Sequence, residues 1–315
     1  MIHSLLAAAA RHGKLLLVAG LIAGIALPEL ALAMRPGLPW MIATLLFLAA
    51  LRIGPRRAVD VAGGLRHALG ALLVLQLVMP MAAAVGFAAL GLHGPLATSL
   101  VLMAAAAPIS GSAGLAIMTG QDPAPALRLM VLGTALLPVT VLPILLVAPA
   151  LGSFADVLAA AVRLALVIVV CSGAAFAVRH WMRAPGPDFF VRTDGAVAVM
   201  MAVLVIALMS AVAPALRTEP GTVALYCAVA FVASFGLQVA ATLALRAAGR
   251  GAEAGAYGIC AGNRNIGLFL TALPAPTTDP LLLFIGCYQI PMYLTPLMLR
   301  RFYGGRCPSR GASHR

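Results

Sequence analysis

The residues best suited to chemistry lie in one stretch, Gly262-Asn263-Arg264-Asn265, inside a segment that is otherwise apolar enough to cross a bilayer. A cation at bilayer depth costs from about 2.5 kcal/mol to above about 10 kcal/mol, so it normally faces a protein interior or a wet cavity. The glycine and asparagines beside it predict unwound backbone, which is tolerated at this depth only when buried in protein or lining a cavity. Arg264 therefore marks a candidate site, and we expect its side chain to point toward the backbone of residues 110–114 and away from lipid.

Composition sets the class of protein. The 315 residues are 63% hydrophobic and only 10% charged, which gives more apolar surface than a soluble domain buries around one core. Lys and Arg number 21 against 9 Asp and Glu, but they form short clusters between apolar segments, so they indicate membrane topology and no nucleic-acid partner. The five cysteines show no metal-binding spacing, and we expect no metal, disulfide or cofactor.

The apolar segments predict an all-α polytopic membrane protein with ten transmembrane helices, because a bilayer core of about 30 Å takes about 20 apolar helical residues. Ala31-Leu-Ala33 imitates a signal-peptidase site, which leaves cleavage of the first segment open, although the next apolar run follows at once. The predicted spans are Leu15 to Leu32, Leu38 to Leu51, Ala68 to Leu90, Pro95 to Met118, Leu127 to Leu151, Val157 to Val178, Ala196 to Leu216, Val223 to Leu245, Ala254 to Leu273 and Leu281 to Leu299.

Loop charges predict the orientation of these spans. With a cytoplasmic N-terminus, the inside segments hold seventeen of the 21 Lys and Arg, and the outside segments hold only two. The positive-inside rule then places both termini in the cytoplasm and requires an even number of spans. We expect a single integral domain of the inner (plasma) membrane that ends in a basic cytoplasmic tail, residues 305–315.

Ten spans divide into two halves, about 1–151 and 152–304, and halves of five helices in series must have opposite orientations, as in an inverted repeat. The fourth and ninth spans then correspond, and Pro108-Ile-Ser-Gly-Ser-Ala-Gly-Leu115 aligns without gaps against Ala261-Gly-Asn-Arg-Asn-Ile-Gly-Leu268. A small polar cluster interrupts each apolar helix, so the pattern predicts two broken helices that cross. The candidate helix-break residues are Pro108, Gly111, Gly114, Gly262 and Gly267.

Both interrupted segments resemble the bile acid:sodium symporter superfamily. The first runs through Ala107-Pro-Ile-Ser-Gly-Ser-Ala-Gly114 and Met118-Thr-Gly-Gln-Asp122 to Thr134. The second, Cys260-Ala-Gly-Asn-Arg-Asn-Ile-Gly-Leu268, is similar to the family's Glu-x-Gly-x-Gln-Asn-x-x-Leu-Ala. The resemblance implies a panel domain and a core domain, with substrate bound beside the crossing of the broken helices.

The chain departs from that family where sodium would bind. Cys260 stands where the family has an acid, and Arg264 stands where it has glutamine. Sodium is a hard cation that needs several oxygen ligands, and a guanidinium about 4 Å away would repel it by several kcal/mol. We therefore expect the family's fold without its sodium coupling.

These observations favour a secondary transporter of a small organic anion. Arg264 would offer a planar donor fork to a carboxylate, and half-helix N-termini would add partial positive charge. A second interpretation makes Arg264 an internal cation that donates to carbonyls of the fourth span. The candidate substrate-binding residues are Arg264, Asn263, Asn265, Ser110, Ser112 and Thr134.

Two other classes of protein stay open. A transport-inactive or regulatory membrane protein of the same fold is one, since the usual ion ligands are absent. An intramembrane hydrolase using Ser110 or Ser112 is the other, but it needs a base in another span, and all six histidines lie near segment ends or in loops. The chain contains no nucleotide-binding motif, and we expect no enzyme activity.

Overall fold

The structure is a computed structural model that describes residues 2–60, 65–147, 153–182 and 185–304, and these ranges are mostly helical, with no β-strand. Short 3-10 segments and one π-helical segment, Val74–Val78, interrupt the α-helices. The α-helices are α1 (Ile2–Arg11), α2 (Gly13–Ala26), α3 (Pro28–Met34), α4 (Leu38–Asp60), α5 (Leu65–Leu73), α6 (Met79–Ala89), α7 (Pro95–Ala105), α8 (Ser112–Met118), α9 (Pro123–Thr140), α10 (Leu142–Val147), α11 (Phe154–Trp181), α12 (Pro187–Thr218), α13 (Pro220–Ala247), α14 (Gly251–Gly262), α15 (Ala275–Thr278) and α16 (Leu282–Met298).

Within the described ranges, seven helices are long and apolar enough to cross a membrane, and a bent pair near the N-terminus, Ser4–Arg11 and Leu15–Ala26, raises the number to eight. This is the architecture of a polytopic membrane protein. The seven agree with the second, third, fifth, sixth, seventh, eighth and tenth predicted spans, and the end of the fifth, residues 148–151, lies outside the described residues. They are Pro28–Arg56, Leu65–Ala89, Pro123–Thr140, Phe154–Trp181, Pro187–Thr218, Pro220–Ala247 and Ala275–Met298.

The predicted first span, Leu15 to Leu32, is wrong at its C-terminal end. Helix α2 ends at Ala26, Leu27 leaves helical geometry at φ −119° and ψ 67°, and Pro28 begins α3. Proline is favoured at the first turn of a helix because its missing N–H has no intrahelical partner there. Residues 28–32 therefore belong to the segment that continues into α4.

The predicted fourth and ninth spans are both broken. Helix α7 has 11 residues and α8 has 7, while α14 has 12 residues and is followed by a 3-10 segment of 6, Ile266–Thr271. Each piece is shorter than the 20 or so residues that cross a bilayer.

The helices pack in two groups. Helix α12 lies along α1, α2, α3 and α4, and α11 lies along α4. In the second group α13 packs on α14 and α16, α9 contacts α8 and α14, and α6 contacts α7. The groups meet where α12 contacts α16 and where α4 contacts the 3-10 segment Ile266–Thr271.

Two glycines four residues apart bring α14 against α13. A Cβ at Gly258 would overlap Thr242 Oγ1, and a Cβ at Gly262 would overlap the carbonyl oxygen of Ser234. Small residues at this spacing let membrane helices approach closely. The close approach fixes the end of α14, and with it the start of the break that follows.

Candidate functional site

The two breaks cross and pair through their backbones. Pro108 and Arg264 form an isolated antiparallel bridge, in which the Ile109 N–H donates to the Asn263 carbonyl at 3.0 Å and the Asn265 N–H donates to the Ala107 carbonyl at 2.8 Å. Unwound backbone in a membrane must satisfy its polar groups within the protein. Here the unwound backbones of the two interrupted helices satisfy each other's N–H and carbonyl groups.

The Arg264 side chain fills the centre of the crossing. It is 1% exposed and donates to three carbonyl oxygens: Nε to Ala261 at 2.8 Å, Nη1 to Ala106 at 3.0 Å and Nη2 to Leu75 at 3.0 Å. The predicted orientation away from lipid is confirmed. The partner carbonyls differ from the expectation, because they belong to the ends of α7 and α14 and to the π segment and not to residues 110–114.

Backbone breaks explain why two of these carbonyls are free to accept from Arg264. The Ala261 carbonyl would accept from the Asn265 N–H in a continuous helix, but that N–H donates to Ala107. In the π segment, the Met79 N–H donates to Val74, five residues back. The same register would pair Leu75 with residue 80, which is proline and has no N–H. Arg264 supplies the missing donors.

Helices α13 and α16 brace the second break. The Tyr288 hydroxyl accepts from the Arg264 backbone N–H at 2.9 Å and donates to the Gly262 carbonyl at 2.6 Å. The Ser234 hydroxyl donates to the same carbonyl at 2.9 Å. Gly262 and Arg264 lose their helical partners at the break, and these side chains replace them.

The predicted site residues fall into two sets. Asn263 and Ser112 are buried and bonded within the protein: Asn263 Nδ2 donates to Ile259 at 2.9 Å, and the Ser112 hydroxyl donates to Ile109 at 2.6 Å. The side chains of the second set are half-buried and make no hydrogen bond within the described ranges; they are Ser110, Thr134 and Asn265.

Sequence reasoning missed a pair of matching glutamine–threonine contacts. Gln76 Nε2 donates to the Thr140 hydroxyl at 3.0 Å and to the Gly133 carbonyl at 2.9 Å. Gln238 Nε2 donates to the Thr295 hydroxyl at 3.1 Å. Polar side chains within membrane spans commonly form hydrogen bonds between helices, and both glutamines do so here. A signal was available, since each glutamine lies in the third predicted span of its half and each threonine in the fifth.

Three of the predicted helix-break residues lie at the breaks, and two lie inside helical segments. Pro108 lies in the bridge, Gly111 precedes α8 as its N-cap, and Gly262 is the last residue of α14. Gly114 as a break residue is wrong, because it lies inside α8 with open space around it. Gly267 lies one residue inside the 3-10 segment Ile266–Thr271.

Acidic partners for Arg264 are absent from the described ranges. The ion pairs found there are Arg35–Asp279, Arg52–Asp194 and Arg250–Glu253, none of which involves Arg264. No group of three His, Cys, Asp or Glu residues that could hold a metal occurs in the same part of the chain. Within the described ranges, it is therefore backbone dipoles that offset the charge of Arg264 at the crossing, as the negative ends of helices can.

Comparison with known proteins adds no family assignment. No model of a known protein family matches the chain, and no similar sequence is found among well-characterised proteins.

A cavity of about 270 Å³ lies away from the crossing, at the α6–α7 connection, and is lined mainly by apolar residues that include Phe87, Leu92 and Val101. The crossing itself therefore carries the chemical argument.

Proposed function

We propose that this chain is a secondary transporter of a small organic anion, with the crossing of its two broken helices as the centre of the site. The observation that carries the proposal is the buried Arg264 guanidinium, held by three carbonyls and offset by no carboxylate in the described ranges. Broken helices at membrane depth are how secondary transporters build their binding sites. A fixed positive charge there selects for negative substrates.

The proposal includes ten membrane spans in two inverted repeats. The protein would lie in the inner (plasma) membrane, with both termini in the cytoplasm. Three features support it: paired breaks at residues 106–111 and 263–265, paired Gln–Thr contacts, and the grouping of helices. The first two predicted spans of each half pack in one group, and the third to fifth pack in the other. The strong excess of basic residues in the predicted inside segments supports the orientation.

Arg264 is proposed to do permanently what a bound sodium ion does transiently in the bile acid:sodium symporter superfamily, which these motifs resemble. The three carbonyl oxygens, from two helix ends and the π segment, form a cluster of the ligand type that a hard cation prefers. Here the guanidinium occupies that cluster. Binding and transport should therefore be independent of sodium.

The substrate is proposed to bind beside the crossing, on the side that faces α4. Asn265 has a half-buried side chain, and its Oδ1 lies near Gly267, where an added Cβ would also contact Ile42 of α4 at 3.5 Å. This is where the two helix groups meet. Rocking of one group against the other would expose Asn265, with Ser110 and Thr134, alternately to the two sides of the membrane.

Calorimetry on the purified chain tests the proposal, with a panel of small mono- and dicarboxylates and their neutral amides as ligands. We expect binding of one or more carboxylates, no binding of the matched amide, and the same affinity when sodium is exchanged for potassium at constant ionic strength. A saturable, several-fold gain in affinity with sodium would refute the sodium-independent mechanism. Asn265→Ala is expected to weaken binding without unfolding the protein.

A transport-inactive protein of the same fold is the second candidate, and one observation favours it. All three hydrogen bonds of the Arg264 guanidinium go to backbone carbonyls, which is what a purely structural cation would do. This candidate predicts no anion binding under any ionic condition, whereas the transporter predicts binding that is weakened in Asn265→Ala.

A further inference from the structure

The chain after α16 folds back onto the site-bearing helices. Tyr303 is 4% exposed, although its neighbours Arg301 and Gly304 are exposed. Arg246 of α13 lies over the ring of Phe302, with the guanidinium carbon 5.4 Å from the ring centroid. The segment Arg300–Gly304, called here the C-terminal clasp, is thus docked against α13.

Tyr303 connects two parts of the helix group that carries the crossing. Its hydroxyl donates to Gln238 Oε1 at 3.1 Å, and its carbonyl accepts from Gln121 Nε2 at 3.0 Å. Gln121 lies in the turn between α8 and α9, and its side chain fills the space that a Cβ on Gly255 of α14 would need. A single tyrosine therefore ties the α8–α9 turn to α13.

From Gln238 a chain of buried hydrogen bonds runs to the crossing. Gln238 Nε2 donates to the Thr295 hydroxyl at 3.1 Å. That hydroxyl lies 3.2 Å from Asn263 Oδ1 and 3.1 Å from the Pro291 carbonyl, and it can donate to either. The Asn263 carbonyl accepts from Ile109 in the other break. The linking side chains of Gln238, Thr295 and Asn263 are fully buried.

Within the described ranges, the first half of the chain shows no counterpart to Tyr303. Gln76, which matches Gln238, leaves its Oε1 buried without a partner in the described ranges. An unpaired buried acceptor costs about 1–3 kcal/mol. In the second half the Tyr303 hydroxyl removes that cost by donating to Gln238 Oε1.

The geometry points to Tyr303 as a positioning residue: docking of the C-terminal clasp holds Gln238, Thr295 and Asn263 in register and keeps the α14 side of the crossing closed. The conformational claim stands on these contacts, and only its consequence, control of anion transport, rests on the proposed function. Release of the clasp would loosen the α8–α9 turn from α14 and let the crossing open.

Cys260 gives a reporter for this opening. It lies on α14, fully buried, with Sγ 3.8 Å from the Ala126 carbonyl of α9. The experiment uses the full chain in detergent with Cys171, Cys227, Cys287 and Cys307 replaced by alanine, and it follows alkylation of Cys260 by N-ethylmaleimide with mass spectrometry. We expect Tyr303→Phe to raise the alkylation rate at least fivefold, the factor that loss of roughly one kcal/mol produces.

Three controls make the result decisive. Tyr293→Phe removes a hydroxyl of α16 that makes no hydrogen bond in the described ranges, and it should leave the rate unchanged. A chain that keeps only Cys171, on α11 in the other helix group, should label equally with and without Tyr303→Phe. In a Gln238→Leu background Tyr303→Phe should add nothing further, since the two residues act through one bond.

A Cys260 rate within twofold of the parent would overturn the inference, and so would equal acceleration at Cys260 and Cys171, which means general loosening. Gln121→Ala, which removes the second contact of Tyr303, is expected to act in the same direction and serves if Tyr303→Phe does not fold. The labelling needs no substrate, so failure to find anion binding would count against the proposed function and not against this result.

Discussion

Arg264 Nη2 donates to the carbonyl of Leu75, 189 residues earlier in the chain, at a distance of 3.0 Å. The Leu75 carbonyl is available because the π segment shifts the hydrogen-bond register and Pro80 cannot donate. Two further carbonyls, of Ala106 and Ala261, complete the set. Three separate interruptions of helical structure thus converge on one guanidinium.

Arg264→Leu is expected to destabilise the fold severely, because it leaves three buried carbonyls without donors, at about 1–3 kcal/mol for each. Arg264→Gln should be milder, since an amide can still donate to one or two of them. Thermal unfolding in detergent gives the ranking. The matched control is Arg163→Leu on α11, where an exposed arginine is lost from a span. If Arg264→Leu were as stable as Arg163→Leu, the carbonyl contacts would have no energetic weight.

Pro80→Ala should weaken the Arg264 contact with Leu75. Alanine supplies the N–H that proline lacks, so the π segment Val74–Val78 can pair its own carbonyls and compete with the guanidinium. We expect a lower melting temperature despite the better helix propensity of alanine. Pro138→Ala, at another proline inside a helix, α9, is the control and should stabilise or leave stability unchanged. Stabilisation by Pro80→Ala to the same extent would contradict this account.

Much of the site could be predicted from local sequence, but its hydrogen-bond partners could not. Helix breaks are predicted at Pro108 and at Asn263-Arg264-Asn265, because proline, glycine and asparagine disfavour a continuous helix. The Leu75 carbonyl gave no such signal. A π segment arises from a shift in the helical hydrogen-bond register that the local sequence does not reveal, and the contact between the Leu75 carbonyl and Arg264 joins residues far apart in the chain. Gly114 was assigned to the break because it lies in the aligned polar cluster, but α8 begins at Ser112 and runs through it.

Boundaries near the N-terminus show the same limit. Averaged hydropathy stays high from Leu15 to Leu32 despite Glu29, so a hydropathy window passes over the helix end at Leu27. Pro28 was the sequence signal for this boundary, because proline is favoured at the first turn of a helix. The break in the ninth predicted span could be predicted, because the polar cluster Asn263-Arg264-Asn265 interrupts the apolar sequence just after the last residue of α14, Gly262.

Gly262→Ala should be strongly destabilising, because the new methyl group would overlap the Ser234 carbonyl where α13 meets α14. Forcing the helices apart would also stretch the Ser234 hydroxyl bond to the Gly262 carbonyl. Overpacking typically costs about 1–3 kcal/mol. Gly236→Ala on α13 is the control: an added Cβ there meets open space, and alanine should gain up to about 1 kcal/mol of helix propensity. Equal melting temperatures for the two variants would show that the contact can relax.

The double variant Cys260→Glu with Arg264→Gln should acquire sodium binding. Removing the guanidinium frees the carbonyls of Ala106, Ala261 and Leu75, and the new carboxylate adds the negative charge that a hard cation prefers. We expect sodium, at constant ionic strength against potassium, to raise the melting temperature of the double variant by several degrees and to leave the parent unchanged. Arg264→Gln alone should respond weakly, since its oxygen cluster lacks a charge, and Cys260→Glu alone should not respond, because the guanidinium still occupies the cluster and pairs with the carboxylate. A sodium response in the parent would show that Arg264 lies outside an ion site, and no response in a folded double variant would show that these carbonyls do not form one.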